Sequence, residues 1–163
     1  EQRLGGINEG FFDTLKILDK GRVGIGSWAV GVGRAAFEAA TRYAKERVQF
    51  GQPIAEFQAV QHMLADIATE LDAARLLVWR VADLVDRGLP FSTEASMAKL
   101  YASENSVNAA NLAIQVFGGY GYLDEYPVAK YLRDARVLTL YEGTTQVQKL
   151  LIGRALTGIN AFS

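Results

Sequence analysis

Residues 57–86 read FQAVQHMLADIATELDAARLLVWRVADLVD, and this stretch decides the fold class. Apolar or small residues recur in it at alternating steps of three and four: Val60, Leu64, Ile67, Leu71, Ala74, Val78, Val81 and Val85. That spacing puts them on one face of an α-helix and is held for about four heptads. The stretch therefore predicts a long amphipathic helix that buries its apolar face against other helices.

Each of the three prolines stands where a helical pattern stops or restarts: Pro53, Pro90 and Pro127. A second apolar face starts after Ser92 or Thr93, stops at Gly118-Gly119 and comprises Leu100, Val107, Ala110, Ile114 and Phe117. Three further helical segments are predicted at 11–50, 126–134 and 146–156. The sequence thus predicts an all-α protein, an up-and-down helical bundle with a helical extension at its end.

Four glycines interrupt the first helical pattern: Gly24, Gly26, Gly31 and Gly33. Each costs a helix about 1 kcal/mol relative to alanine. Close approach of another helix, or of a flat ligand, would offset that loss. Tight helix packing is the simpler expectation and a ligand the more specific one.

Composition excludes several classes of function. The chain has 163 residues, half of them apolar, and a net charge of −1, so it has no electrostatic field suited to nucleic acid or an anionic membrane. It has no cysteine and a single histidine, His62, so we predict no metal site of the His/Cys type. Without a membrane-spanning run or a signal-like start, we expect a cytoplasmic protein, or a mitochondrial matrix protein in a eukaryote.

The chain starts without methionine, and we expect it to be a fragment of a longer protein. Residues 1–8 are interpreted as a linker remnant from an upstream domain, and 9–163 as one helical bundle domain.

The stretch Tyr141-Glu142-Gly143-Thr144-Thr145 sets one carboxylate after an apolar run and against a glycine. Removing a carboxylate from water makes it a stronger base, and a glycine lets a substrate approach the backbone. The alternative is that Glu142 only favours the N-terminus of the closing helix, with Thr144 or Thr145 as its cap. The local residues leave both interpretations open.

Arg22 falls on the apolar face of the first helix. A buried guanidinium needs an anion, either a carboxylate or a bound ligand, whereas a long side chain at the edge of the face can also reach water. Asp19, three residues earlier on the same face, is the nearest partner or could orient a ligand.

Two runs have both a structural and a nucleotide-binding interpretation. Arg47 in ERVQFG (46–51) either complements the end of a helix or binds a phosphate, with Phe50 offering an apolar face to an aromatic ring. The run QVFGGYG (115–121) either ends a helix or admits a nucleotide to the backbone at its glycines.

The order and spacing of six motifs resemble the C-terminal helical domain of the acyl-CoA dehydrogenase family, in particular its short-chain, butyryl-CoA dehydrogenase-like members. The motifs are LDKGR (18–22), ERVQFG (46–51), FQAV (57–60), QVFGG (115–119), YLRDA (131–135) and YEGT (141–144). The resemblance implies a flavoenzyme that converts an acyl-CoA to the trans-2-enoyl-CoA, giving the α-proton to a glutamate and the β-hydride to FAD. Glu142 matches that glutamate, and Gly21 stands where another branch of the family carries its base.

The same resemblance assigns further residues. Asp19, Arg22 and Gly143 border the acyl-CoA, and the backbone amide of Glu142 polarises the thioester carbonyl. The FAD contacts, partly to a flavin held by a neighbouring subunit, are Arg47, Phe50, Gln58, Gln115, Gly118, Gly119, Thr144 and Gln146. The family forms tetramers or dimers and passes electrons to an electron-transfer flavoprotein.

Family members also carry an N-terminal helical domain and a middle β-domain, which this sequence lacks. We therefore expect this chain alone to be inactive and to hold no FAD firmly. Two alternatives are a non-catalytic helical oligomerisation module and an acyl-CoA oxidase-like flavoenzyme.

Overall fold

A computed structural model describes residues 5–162, and in that range the chain is almost entirely helical. Its α-helices are α1 (Gly10–Glu46), α2 (Gln58–Asp86), α3 (Ser92–Phe117), α4 (Val128–Val137) and α5 (Thr145–Thr157). The predicted all-α bundle is confirmed. Residues 1–4 of the predicted linker, and Ser163, lie outside the described residues.

The periodic stretch that predicted α2 forms that helix, and its inward positions are the expected ones. Ile67, Leu71, Ala74, Val78 and Val81 are all buried. They pack against α1 and α3, which places the apolar face of α2 in the centre of the bundle.

The first helix ends four residues before the predicted end at residue 50. Arg47 is its C-cap, and a minimal antiparallel pair follows, β1 (Val48–Gln49) and β2 (Gln52–Pro53). Phe50 and Gly51 form the tight turn between them, with φ values of +54° and +83°. Two successive residues in the left-handed region are typical of such a hairpin, so the motif around Arg47 is turned out of the helix.

The buried face of α3 agrees with the predicted one at Ala110 and Phe117 only. Leu100, Val107 and Ile114 are only half-buried. Small residues occupy the interior: Ala95, Ala98, Ala102, Ala109, Ala110 and Ala113. Because α3 contacts each of the other four helices, small side chains let several backbones approach it at once.

Two of the four glycines in α1 explain how closely these helices pack. A Cβ on Gly26 would lie 3.1 Å from the Val78 side chain, and one on Gly33 would lie 2.6 Å from the Leu71 side chain. Gly24 and Gly31 are exposed and would meet nothing within 4 Å. Tight helix packing therefore explains Gly26 and Gly33 but not Gly24 and Gly31.

None of the helices within residues 5–162 has the length and apolar character needed to cross a membrane. The same residues contain no cluster of three or more potential metal-binding side chains.

The two kinds of glycine in α1 should respond oppositely to the same substitution. Gly31→Ala should raise the free energy of unfolding by about 0.5–1 kcal/mol, because it removes only the conformational cost of glycine. Gly33→Ala should lower it by about 1–3 kcal/mol, because the new Cβ must displace buried Leu71 from a packed core. Urea denaturation of both variants measures the difference, and equal effects would contradict the close packing.

Candidate functional site

The turn between α4 and α5 holds the candidate base in an unusual conformation. Glu142 has φ of +56° and Gly143 has φ of +92°. A non-glycine residue in the left-handed region is strained, and such strain clusters at functional sites. Thr144 then begins α5 as its N-cap, accepting a hydrogen bond from the Val147 N–H at 3.3 Å. The capping alternative is thus correct for Thr144, and it leaves the Glu142 side chain free for another role.

The carboxylate of Glu142 lies against Gly21 of α1. Its Oε2 is buried and has no hydrogen-bond partner among the described residues. A Cβ on residue 21 would overlap this oxygen, so glycine is what admits the carboxylate to this place. Two distant motifs of the sequence, LDKGR (18–22) and YEGT (141–144), therefore meet at one point.

The apolar run before Glu142 contributes less than expected. Leu138 is fully buried, but Val137 is 46% exposed and Leu140 is 51% exposed. Val137 and Leu140 point out of the bundle. The reason is that α4 is short and amphipathic and that residues 138–141 turn away from the axis of this helix. The carboxylate oxygen is buried where it lies against Gly21 of α1.

Arg22 is buried on α1, so the interpretation that it reaches water is wrong. Its Nη1 lies 2.6 Å from the Asp19 carboxylate, which compensates the buried guanidinium. Asp19 also accepts a hydrogen bond from the Ser92 hydroxyl at 3.0 Å, which ties α1 to the start of α3. The Nε of Arg22 lies 3.5 Å from the Glu142 carbonyl oxygen. Asp19, Arg22, Glu142 and Gly143 thus form one cluster.

Two buried side chains complete this cluster. Lys99 of α3 donates to the Gly143 carbonyl at 2.7 Å. Gln148 of α5 donates to the carbonyls of Glu142 and Gly143 at 3.0 and 3.1 Å. Both side chains are fully buried. A Cβ on Gly143 would overlap the Gln148 amide, which is a second reason for glycine there.

Burial lowers the pKa of Lys99 from its usual value to about 8. Desolvation is the main cause, and the guanidinium of Arg22 lowers the pKa further. The carboxylates of Glu104 and Glu142 act in the opposite direction. Lys99 is therefore a cation in a place where its charge is costly.

A second candidate site lies where α1 and α3 end. It is a cavity of about 510 Å³ whose lining includes four of the predicted cofactor residues: Arg47, Gln115, Gly118 and Gly119. The Arg47 guanidinium lies 5.1 Å from the centre of the Tyr120 ring. Within residues 5–162 no carboxylate is within ion-pair distance of Arg47. An unpaired guanidinium beside an aromatic ring and two glycines suits an anionic ligand.

The other predicted cofactor residues are not part of this cavity. Phe50 is 94% exposed at the tip of the hairpin, its ring 6.1 Å from that of Phe57, and Gln58 is exposed at the start of α2. Thr144 lies beside Glu142. Gln146 lines a separate cavity of about 240 Å³ with Glu104, Arg136 and Thr139.

Comparison with known proteins identifies the family of this domain. The sequence model of the family described as "Acyl-CoA dehydrogenase, C-terminal domain" matches residues 8–157. The chain belongs to the acyl-CoA dehydrogenase family. The family and fold predicted from its motifs are confirmed.

Three proteins illustrate the likeness of this acyl-CoA dehydrogenase domain. The "Caffeyl-CoA reductase-Etf complex subunit CarC" of Acetobacterium woodii is 51% identical over 156 residues, which are 96% of this chain and 41% of that protein. Butyryl-CoA dehydrogenase from Megasphaera elsdenii superposes with a TM-score of 0.90 at 43% identity, over 91% of this chain and 39% of that one. Glutaryl-CoA dehydrogenase from Mycobacterium smegmatis, in complex with FADH2, gives 0.88 at 30% identity, over 91% and 39%.

The chain therefore spans about two fifths of the length of the relatives that it matches. The family is established for this domain.

Sequence reasoning about this acyl-CoA dehydrogenase domain missed Lys99 and Gln148. Lys99 had a usable signal, because it lies one helical turn from Ala95 and Ala102, on a face of small residues. The same argument singled out Arg22 on α1. Gln148 had no such signal, since its role depends on the left-handed turn that precedes α5.

Lys99 should make the stability of the domain depend on pH in a defined window. Its amine binds a proton less tightly in the folded state, with a pKa of about 8, than in the unfolded state, where the value is 10.5. As the pH rises from about 8 to 10.5, the free energy of unfolding should therefore rise relative to that of Lys99→Met, which has no such group. Denaturation of both proteins across this range measures the effect, and parallel curves would contradict it.

Proposed function

We propose that this chain is the base-bearing C-terminal part of an FAD-dependent acyl-CoA dehydrogenase. The observation that carries the proposal is the buried, unpartnered Oε2 of Glu142, held over Gly21 by a strained turn. In the reaction, the α-carbon of an acyl-CoA loses a proton to the Glu142 carboxylate while the β-carbon loses a hydride. The electron pair of the α C–H bond forms the new double bond, which gives the trans-2-enoyl-CoA.

The setting of Glu142 suits proton abstraction. An oxygen without a hydrogen-bond donor has its lone pairs available for a proton, and burial excludes competing water. A module with only a structural role would gain nothing from a buried carboxylate oxygen left without a partner, which costs stability. The unpartnered oxygen of Glu142 therefore favours the acyl-CoA dehydrogenase over the non-catalytic oligomerisation module.

Substrate contacts are proposed for the residues around the base. Asp19 and Arg22 form a compensated ion pair at the edge of the cluster, and Gly143 presents backbone without a side chain. The N–H of Glu142 is the proposed donor to the thioester carbonyl, where negative charge develops as the α-proton leaves.

The cavity around Arg47 fits the phosphate-bearing part of FAD. Arg47, Gln115, Gly118 and Gly119 would hold it there, and Phe50 and Gln58 extend the same end of the bundle. Thr144 and Gln146, near the base, are proposed to face the flavin ring. FAD, when bound, accepts the hydride from the β-carbon. The solved relative from Mycobacterium smegmatis contains the reduced form of this cofactor.

We also propose that the protein forms a homo-oligomer and passes electrons to a partner protein. Trp28, Leu76 and Trp79 are each more than half exposed, and Gly24 and Gly31 leave the outer face of α1 open. Exposed apolar surface of this kind favours a homo-oligomer, a tetramer or dimer. The Acetobacterium relative is named as part of an Etf complex, which supports an electron-transfer flavoprotein as the acceptor. A cytoplasmic location fits these partners.

The reverse reaction is a second candidate. The Acetobacterium relative is named a reductase, and the same groups serve both directions. Protonated Glu142 would return a proton to the α-carbon of an enoyl-CoA as the β-carbon receives a hydride from the reduced cofactor. Measuring turnover with acyl-CoA plus an electron acceptor, and with enoyl-CoA plus a donor, separates the two. Consumption of oxygen during turnover with acyl-CoA would identify the third alternative, an acyl-CoA oxidase-like flavoenzyme.

Glu142→Gln tests the base directly. In the full-length flavoenzyme it should retain FAD and bind acyl-CoA, because the shape and polarity of the side chain are kept. Reduction of the flavin by acyl-CoA should slow by about 10²- to 10⁴-fold, because no group accepts the α-proton. Stopped-flow absorbance of the flavin measures this rate, with Glu38→Gln, an exposed carboxylate paired with Arg34, as the control. A Glu142→Gln enzyme that bleaches at the parent rate would rule out this base.

Arg47→Ala tests the cofactor cavity. It should weaken FAD binding by at least about tenfold, because it removes a charged phosphate donor. Arg87→Ala is the matched control, since Arg87 is an exposed arginine with its own carboxylate, Asp83. Fluorescence titration of the apoenzyme with FAD gives both affinities. Equal affinities in the two variants would show that Arg47 holds no phosphate.

A further inference from the structure

We propose that Lys99 and Gln148 are the positioning residues of the base: their buried donors hold the Glu142–Gly143 turn in the conformation that directs the Glu142 carboxylate to Gly21. This inference rests on the proposed function of Glu142. It assigns a role in the reaction to two residues that do not touch the substrate.

The hydrogen bonds of the two side chains converge on two adjacent carbonyls. The Gly143 oxygen accepts from Lys99 Nζ at 2.7 Å and from Gln148 Nε2 at 3.1 Å. The Glu142 oxygen accepts from Gln148 Nε2 at 3.0 Å, with Arg22 Nε at 3.5 Å. Lys99 and Gln148 come from different helices and are both fully buried, so neither can swing away into water.

Holding these two carbonyls in place also fixes the direction of the N–H groups on the opposite side of the turn. The described part of the chain contains no cis peptide bond, so each C=O and the N–H of the same peptide point in opposite directions. With its carbonyls held toward α3 and α5, the turn directs the N–H groups of Gly143 and Thr144 the other way. Within residues 5–162 no backbone acceptor takes a hydrogen bond from either of them. The two donors thus set the orientation of two successive peptides.

The charge on the buried Lys99 side chain indicates that this residue does more than fill space in the core. Its neighbours on the buried face of α3 are alanines and serines, and an apolar side chain of the same length would fill the space without the cost of desolvating a charge. The charged groups that face the amine are Glu104 on α3, Arg22 on α1 and Glu142 in the turn. A cationic donor makes a stronger hydrogen bond to the Gly143 carbonyl than a neutral one does. That strength suits a turn in which Glu142 occupies the strained left-handed region.

The test uses the full-length flavoenzyme and a reaction that reports on the base alone. A 3-thia-acyl-CoA has sulfur at the β position, so it carries an α-proton but no β-hydride to transfer. Exchange of its α-protons with deuterium from D2O, followed by NMR, measures proton abstraction by Glu142. In Lys99→Met and in Gln148→Met this exchange and kcat should fall by about 10- to 100-fold, because the carboxylate is misplaced. KM and FAD content should stay within about threefold of the parent values.

Ile67→Ala is the control for lost stability, since Ile67 is buried in a core cluster with Leu71 and Ala109, away from the turn. It should lower Tm while exchange continues at the parent rate. Slower exchange in Ile67→Ala, in proportion to its lost Tm, would overturn the positioning role. If Lys99→Met does not fold, Gln148→Met makes the same test.

Glu142→Gln separates this inference from the function on which it rests. If Glu142→Gln abolishes exchange while both positioning variants exchange at the parent rate, the inference is wrong and the proposed function stands. If Glu142→Gln itself exchanges at the parent rate, the proposed function fails. Slow exchange in Glu142→Gln and in both positioning variants, with normal exchange in Ile67→Ala, supports the role.

Discussion

The close approach of α1 to α3 is the constraint on which the rest of the structure depends. Gly26 lies beside the Ala98 carbonyl and Gly33 beside the Ser106 backbone, so the two helices run parallel in a fixed register. That register brings Asp19 to Ser92, and it sets Gly21 and Arg22 at the level where the turn before α5 crosses the bundle. A side chain at Gly26 or Gly33 would press first on Val78 or Leu71 of α2, which packs into the same register.

The turn at Glu142 shows how a rigid bundle can keep one residue in an unfavourable conformation. A single non-glycine residue in the left-handed region costs about 1–3 kcal/mol. Hydrogen bonds from buried donors offset that cost, and here Arg22, Lys99 and Gln148 supply them from three helices. Each of these donors is itself expensive to bury. The cluster is therefore stable only as a whole, and losing one member leaves the others without partners.

Sequence patterns predicted the features that depend on local chemistry. The three- and four-residue spacing predicted α2, the glycines at 118 and 119 predicted the end of α3, and the YEGT motif identified the turn. They failed where the outcome depends on tertiary context. Of the predicted buried face of α3, Ala110 and Phe117 are buried, but Leu100, Val107 and Ile114 are not, because a helix surrounded by neighbours buries small residues in preference to large ones. Lys99 was also missed, although it lies among the alanines of that face, because the alanines were not recognised as the buried side of α3.

The two candidate sites are far apart along α1. Arg22 lies in α1 and Arg47 is the C-cap of that helix, 25 residues later, so at about 1.5 Å per residue their backbones are roughly 37 Å apart. A single FAD molecule that contacted both the base and the Arg47 cavity of one chain would have to bridge most of that distance. An assembly in which the cavity of one copy serves a cofactor whose flavin ring lies at the base of another would not need that span. The exposed glycines and tryptophans on the outer face of α1 and α2 are then where a second copy would pack, and assembly becomes part of building the active site rather than an addition to it.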